Sequence, residues 1–369
     1  MGSETPRALA LGAAPKTFSM KPEVLIAECN GKDYAPEKLS TQEETGLHRS
    51  IEDAPDFIRA DIPEWLWKSF QNGFGARAVE EGCSLAERAP TDLRVNTLKV
   101  TRDKVLKDLA DFDVRPTPFS PVGVRVPAGV GTTRIPNLEA EAAFQAGWFE
   151  IQDEGSQVAA LLADVGPRMQ VLDLCAGSGG KTLALAASMQ NKGQIYAYDK
   201  DRLRLKPIFN RIKRAGVRNV QVLKGGDHKA LLNLGQKFDR VIVDAPCSGT
   251  GVWRRRPESK WRFRPKSLDE RIGEQQKVLT TASQLVKYGG RIVYVTCSIL
   301  PEENSLQIEK FLLQNPEFSL ISYEKIWTEL LSVLPPQSAL KTSSPALQLT
   351  PASHGTDGFY VAILQRCSA

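Results

Sequence analysis

From about residue 154 onward, short apolar runs alternate with longer stretches of mixed polarity. Residues 170–175, 194–199, 220–223, 239–244 and 291–297 are rich in Val, Ile and Leu. These runs are too short for core helices and predict strands of a largely parallel sheet, buried on both faces. Residues 181–189, 203–215, 268–286 and 302–313 lie between or after them and have helical length and spacing. Alternating strand and helix predicts a doubly wound α/β sheet whose ligands bind at the carboxyl ends of the strands. A last apolar run, residues 358–364, is expected as an edge strand.

The first 150 residues follow a different pattern. Residues 1–55 are rich in Ala, Pro, Glu and Thr and show little periodicity, so a short helical remnant or a partly disordered lead-in is expected. Pro63-Glu64-Trp65-Leu66-Trp67-Lys68-Ser69-Phe70 opens a helix with Pro near its start. A compact α+β unit then follows. Leu93-Arg94-Val95-Asn96-Thr97-Leu98 reads as a strand, and residues 101–110 as an amphipathic helix capped by Thr101. Residues 122–126 and 148–151 are further strands, with Gly and Pro marking loops over 116–136. The expected division is 1–55, 56–152 and 153–369, the last being the α/β domain.

Composition narrows the chemistry. A chain of 369 residues with a net charge of +5 is mildly basic, which favours a polyanionic partner only weakly. Its six cysteines (Cys29, Cys83, Cys175, Cys247, Cys297, Cys367) form no Cys-x-x-Cys pair, and His48, His228 and His354 are equally scattered. That argues against a zinc site, and no metal is expected. No signal-peptide core or membrane-length apolar run is seen, so reduced thiols in a cytoplasmic protein are expected.

Leu172-Asp173-Leu174-Cys175-Ala176-Gly177-Ser178-Gly179-Gly180-Lys181-Thr182 reads as a strand, a glycine-rich turn and a helix start. A phosphate-binding loop would need Gly where Cys175 stands, and a dinucleotide fingerprint starting at Gly177 would need Gly where Thr182 stands. A third ligand, S-adenosyl-L-methionine, has no phosphate. It needs close backbone approach and a carboxylate for its ribose. Asp199, closing the second strand, suits the ribose, and Asp227, after the third, is placed for the adenine. Otherwise either acid is a helix cap or a loop residue.

Two cysteines stand out. Cys247 in Asp244-Ala245-Pro246-Cys247-Ser248-Gly249 and Cys297 in Val295-Thr296-Cys297-Ser298 each follow a predicted buried strand. Neighbouring strands lie ~5 Å apart, so both thiols are placed to face one pocket. A cysteine at a strand end is otherwise a small buried hydrophobe, the reading preferred for Cys29, Cys83 and Cys367 and for Cys175 taken alone. Beyond Cys247, residues 253–266 interleave cations with aromatics. Arg254, Arg255, Arg256, Lys260 and Trp261 are candidates to hold phosphates and stack an unpaired base. The alternative is a solvated loop with Trp253 and Trp261 anchored in the core. The basic run 200–218 reads instead as the outer face of a helix.

The paired Asp-Ala-Pro-Cys-Ser-Gly and Thr-Cys-Ser motifs, the latter followed by Pro301-Glu302-Glu303-Asn304, resemble the Nop/Sun family of RNA cytosine-5 methyltransferases. The resemblance covers residues 60–369 and within the family is strongest to the bacterial group B enzymes of 16S ribosomal RNA. Arg94-Val95-Asn96 and Gln152-Asp153-Glu154-Gly155-Ser156 resemble its upstream signatures. The resemblance implies a Rossmann-like class I methyltransferase sheet preceded by a smaller RRM-like α+β domain that binds RNA. Many relatives add an N-terminal helical RNA-binding domain, of which residues 1–55 hold at most the tail. The family loop usually reads Cys-Ala-Ala-Pro-Gly-Gly-Lys, whereas Gly177 and Ser178 replace Ala and Pro here.

By matching position the resemblance makes Cys297 the nucleophile, Cys247 the aid to product release, and Asp244 a residue between cofactor and target base. Cys175, Ala176, Gly177, Ser178, Gly179, Gly180, Lys181, Asp199, Asp227 and Asp244 would hold the cofactor. DNA cytosine methyltransferases attack with the Pro-Cys thiol instead, so the choice of Cys297 rests on the family. The chemistry asks for such parts. Carbon 5 of cytosine becomes nucleophilic once a thiolate adds to carbon 6, attacks the sulfonium methyl, and then loses its proton so the thiol can leave. The expected product is 5-methylcytosine in ribosomal RNA, with transfer RNA as runner-up substrate and a monomeric enzyme. A non-catalytic RNA-binding assembly factor and a protein or DNA methyltransferase are the competing classes.

Overall fold

The computed structural model describes residues 5–129, 136–341 and 344–367. The chain separates into two compact units, Met1–Arg59 with Gly129–Ile135, and Ala60–Ala128 with Pro136–Ala369. In the first, helices Pro6–Phe18, Pro22–Glu28 and Thr41–Leu47 surround a small core of Leu11, Leu25 and Cys29. Local caps fix these helices where the apolar pattern is weak. Thr5 Oγ1 accepts the Ala8 N–H, and Ser40 and Glu43 form a reciprocal capping box.

The second unit begins with helix Glu64–Phe74, which buries Leu66, Phe70 and Phe74. A small antiparallel sheet follows, made of β1 (Thr91–Val95), β2 (Arg115–Pro116), β3 (Gly123–Val126) and β4 (Phe149–Ile151), in the order β2-β3-β1-β4. Leu93 and Val95 of β1, Val124 of β3 and Phe149 of β4 pack against Val105 and Leu109 of the helical segment after Thr101. Thr101 caps that helix as expected, accepting the Lys104 N–H at 3.4 Å.

The large sheet contains β5 (Gln170–Asp173), β6 (Gln194–Ala197), β7 (Val220–Val222), β8 (Phe238–Asp244), β9 (Val286–Thr296), β10 (Phe318–Ile321), β11 (Leu347–Leu349) and β12 (Phe359–Arg366). Its order is β10-β12-β9-β8-β5-β6-β7, with β11 pairing with β12. Strands β5 to β9 are parallel, while β12 runs antiparallel to β9, β10 and β11. This is the Rossmann-like arrangement expected. Apolar clusters fill both faces, one around Val158, Leu185, Ile195 and Trp327, the other around Leu279, Leu285, Ile308 and Phe311.

Two details differ from the sequence reading. The last strand is not an edge: β12 is inserted between β9 and β10, and Val361, Ala362, Ile363 and Leu364 are buried on both faces. Pro207 lacks an N–H, so the helix expected over 203–215 is divided into Arg202–Leu205 and Ile208–Ala215.

Candidate active site

Parallel pairing of β8 with β9 sets Asp244 opposite Val295. Beyond that rung the two chains leave the sheet together, and Ala245 N–H donates to the Val295 carbonyl at 2.8 Å. Cys247 and Cys297 consequently meet, with their Sγ atoms 3.4 Å apart and in hydrogen-bonding contact. Cys247 and Cys297 are both free thiols. Contact with Cys297, then burial and the nearby Glu303 carboxyl, hold the Cys247 thiol well above the ordinary thiol range. Cys247 is therefore protonated near neutral pH.

A buried polar frame fixes both cysteine loops, and Glu303 is its centre, with no exposed surface. Its Oε1 accepts the backbone N–H of Ser248 at 2.8 Å and the Gln275 side-chain amide at 3.0 Å. Its Oε2 accepts the Ser298 hydroxyl at 2.5 Å and also the Ser248 hydroxyl. Gln275 also donates to the carbonyl of Pro246, the residue before Cys247. Asn304 ties the carbonyl of Ser298 at 2.9 Å and accepts from Thr296. Sequence reading placed Glu303 and Asn304 inside a motif but gave them no task. The only signal was a polar run directly after a buried strand.

Asp244, the last residue of β8, pairs with Lys181 Nζ at 2.8 Å. Lys181 enters from the helix Gly180–Ser188, and its side chain is only 6 % exposed against 37 % for Asp244. The turn before that helix needs its glycines. Gly177 and Gly179 have φ of +51° and +89°, and a Cβ on Gly179 would meet Ile208 at 2.5 Å. Ser178 is held by Arg211, and the Gly180 carbonyl accepts from Arg94 at 2.7 Å. Asp199 orders the turn from β6, since its Oδ2 accepts the Gly177 N–H at 2.9 Å and its Oδ1 the Asp201 N–H.

A cleft of about 700 Å³ opens at these strand ends, lined by Leu174, Cys175, Tyr198, Asp199 and Pro246 among others. It reaches from Cys175, which leads into the glycine turn, to Pro246, the residue before Cys247. Ala176 lies under the turn, its N–H given to the Tyr198 carbonyl. Burial and the adjacent Asp199 and Asp244 push the Cys175 thiol up, so it stays neutral. Asp227 caps the helix His228–Leu232 through the Ala230 N–H at 3.0 Å, as the alternative reading of that residue had it.

A family model described as 16S rRNA methyltransferase RsmB/F matches residues 160–365. The chain belongs to that family. A second model, the RsmF/B-like ferredoxin-like domain, matches residues 62–133. The RsmB/F chain is 33 % identical over 314 residues to the probable ribosomal RNA small subunit methyltransferase B of Synechocystis sp., covering 83 % of itself and 67 % of that relative. With the ribosomal RNA small subunit methyltransferase B of Salmonella arizonae it is 34 % identical over 331 residues, covering 89 % and 71 %. Among solved structures it is similar to a methyltransferase homologue protein from Pyrococcus horikoshii, at TM-score 0.70, 27 % identity, and 86 % and 100 % coverage. The fold also matches NSun6 from Pyrococcus horikoshii, at TM-score 0.72 and 24 % identity over 84 % and 99 % of the two chains.

The basic, aromatic segment after Cys247 requires correction in this RsmB/F chain. Arg254 donates to Asp357 at 2.6 Å and lies within reach of Asp153, with its side chain only 4 % exposed. Arg255 also pairs with Asp357 and Asp153. Lys260 is buried and bonded to Asp61. Arg254 and Lys260 are spent inside the protein and Arg255, though exposed, is held by the same carboxylates as Arg254, because acids distant in sequence fold against them. Trp253 is buried and stacks on Phe70 at 6.2 Å, as the core alternative supposed. Arg256 and Trp261 remain exposed, Trp261 by 54 %.

Proposed function

We propose that this chain is an S-adenosyl-L-methionine-dependent methyltransferase that forms 5-methylcytosine in 16S ribosomal RNA through a covalent Cys297 adduct. The observation that carries this reading is the 3.4 Å approach of the two thiols on the loops that follow β8 and β9, with the Asp244–Lys181 pair at the end of β8. The small-subunit ribosomal RNA named for the curated relatives supports the substrate.

Two features near the cleft suit the cofactor. Gly177 takes a left-handed turn at φ +51° with no side chain between its backbone and a ligand. Asp173 Oδ1, at the end of β5, is buried without a partner. Gly177 to Lys181 and Asp199 would hold the cofactor, with Cys175 and Ala176 shaping the floor of the turn, while Asp227 is committed to its helix cap. Bound there, S-adenosyl-L-methionine supplies an electrophilic methyl group.

Cys297 Sγ adds to carbon 6 of a cytosine flipped into the pocket, and the ring π electrons move toward carbon 5. Asp244, held by Lys181, accepts from the exocyclic amino group and orients the ring. After carbon 5 is methylated, its proton leaves to a solvent water and the carbon 5–carbon 6 double bond reforms. The carbon 6–sulfur bond breaks and its electrons return to Cys297. Cys247, protonated and 3.4 Å away, donates its S–H to that departing thiolate. Release therefore depends on Cys247, while attack depends on Cys297.

Labelled methyl transfer to unmodified 16S ribosomal RNA, read at single nucleotides by bisulfite sequencing, tests the function. Cys297→Ala should abolish transfer and retain cofactor binding. Cys247→Ala should accumulate an RNA–protein adduct stable to denaturing electrophoresis. Adduct-free turnover by Cys247→Ala would remove its release role, and label in protein or DNA alone would remove the substrate.

A further inference from the structure

Three of the four cations beside Cys247 first expected to hold phosphates are ion-paired with the protein's own carboxylates. A polyanionic substrate must therefore find other charges. Between Asp201 and Asp227 the chain carries eight Lys and Arg and no acid. Arg211 and Arg214 pair with Glu150 of the small sheet. Arg204 lines the cofactor cleft. Arg202, Lys206, Lys213 and Lys224 are exposed, and none has an ion pair with another described residue.

These four are not scattered. Arg202, Leu203, Lys206, Phe209 and Lys224 line a surface groove of about 550 Å³ that runs beside the edge strand β7. Phe209 and Lys213 lie one turn apart on the helix Ile208–Ala215, so Lys213 extends the same stripe. Leu203 is 81 % exposed and Phe209 58 %, which puts apolar surface between the cations. The groove adjoins the cofactor cleft, since Arg204 lies on the same short helix as Arg202.

We propose that this groove is a second RNA-docking surface, taking a single-stranded segment of the substrate that flanks the target base. Arg202, Lys206, Lys213 and Lys224 hold successive phosphates, and Phe209 offers a face on which one base stacks. Single-sign charge along a groove fits a polyanion, and an exposed aromatic between the cations fits unpaired bases over a smooth duplex. The inference rests on the RNA methyltransferase reading given above.

The test compares the full chain with a quadruple variant, Arg202→Gln, Lys206→Gln, Lys213→Gln and Lys224→Gln, and with Phe209→Ala. Binding to an unmodified 16S ribosomal RNA transcript is titrated against salt, and steady-state methyl transfer is measured with saturating cofactor. The quadruple variant should bind at least ten-fold more weakly. Its log-affinity should fall less steeply with log salt, by ~0.7 per lost single-strand phosphate contact. Phe209→Ala should weaken binding about five-fold or more with the salt slope unchanged. In both, KM for RNA rises while kcat at saturating RNA and cofactor affinity stay within two-fold. A parental salt slope and KM in the quadruple variant would overturn the proposal even if the parent methylates RNA normally. So would a loss confined to binding of polyglutamate, used as an acidic-protein probe. Absence of methyl transfer to any RNA by the parent would instead sink the underlying reading.

Discussion

At the residue scale, chemistry here depends on charges kept out of water. Asp173 shows this most sharply. Burial raises its carboxyl to about 7, against a hydrogen bond from Thr182 Oγ1 at 2.6 Å that partly offsets the rise. A carboxyl that holds its proton more tightly when folded makes stability fall as pH rises, from about 4, where the unfolded group titrates, to the folded value. The cost is fully present above it. Asp173→Asn removes that titration. In the cofactor-free protein the urea midpoint of the variant relative to the parent should therefore rise between pH 5 and pH 8. A difference constant across that range would mean Asp173 does not titrate there. Cys247 and Cys297 were legible from sequence because each closes an apolar run. The fate of Arg254 and Lys260 was not. A cation facing phosphate and one facing Asp357 or Asp61 look identical in a sequence.

At the scale of elements, the sheet delivers the cysteines and loop contacts set their spacing. Glu303→Ala would leave the Ser248 N–H, both serine hydroxyls and the Gln275 amide without their acceptor, an expected loss of about 3 kcal/mol. Glu303→Gln keeps one acceptor oxygen and the volume, so it should recover much of the melting temperature. Methyl transfer should fall at least ten-fold in the alanine variant with KM for RNA unchanged. Equal activity in Glu303→Ala and parent would show that the frame does not set the thiol geometry. Gly251 gives a second test. A Cβ there would lie 2.2 Å from the Gly358 carbonyl oxygen, and its own N–H holds the Cys297 carbonyl at 3.0 Å. Gly251→Ala should therefore cost about 2 kcal/mol, measured by urea unfolding, and slow catalysis together. Strand and helix order was readable because period and length repeat. The insertion of β12 between β9 and β10 was not, because antiparallel return is decided by packing rather than by the strand's own pattern.

At the scale of the second unit, polar clasps join the small sheet to the methyltransferase sheet. Asn96 donates to the Gly147 and Ala215 carbonyls at 2.9 Å each, and Lys99 to Ala146 and Arg214. Glu150 of β4 is buried and receives Arg211 at 2.8 Å and Arg214 at 2.5 Å. Arg211 also holds Ser178, and Arg94 holds Gly180, so the seam continues directly into the cofactor turn. Desolvation already draws the Arg94 guanidinium down to about 10, with Glu150 opposing it. Glu150→Ala would leave three arginines facing one another around a buried site, and breaking such pairs costs about 3–5 kcal/mol. The variant should melt lower and lose amide protection first in β1, β4 and the turn before Gly180. Cofactor affinity should fall even though Glu150 lines no part of the cleft. If cofactor affinity were instead unchanged while stability dropped, the seam would be a fastening alone, with no hold on the glycine turn.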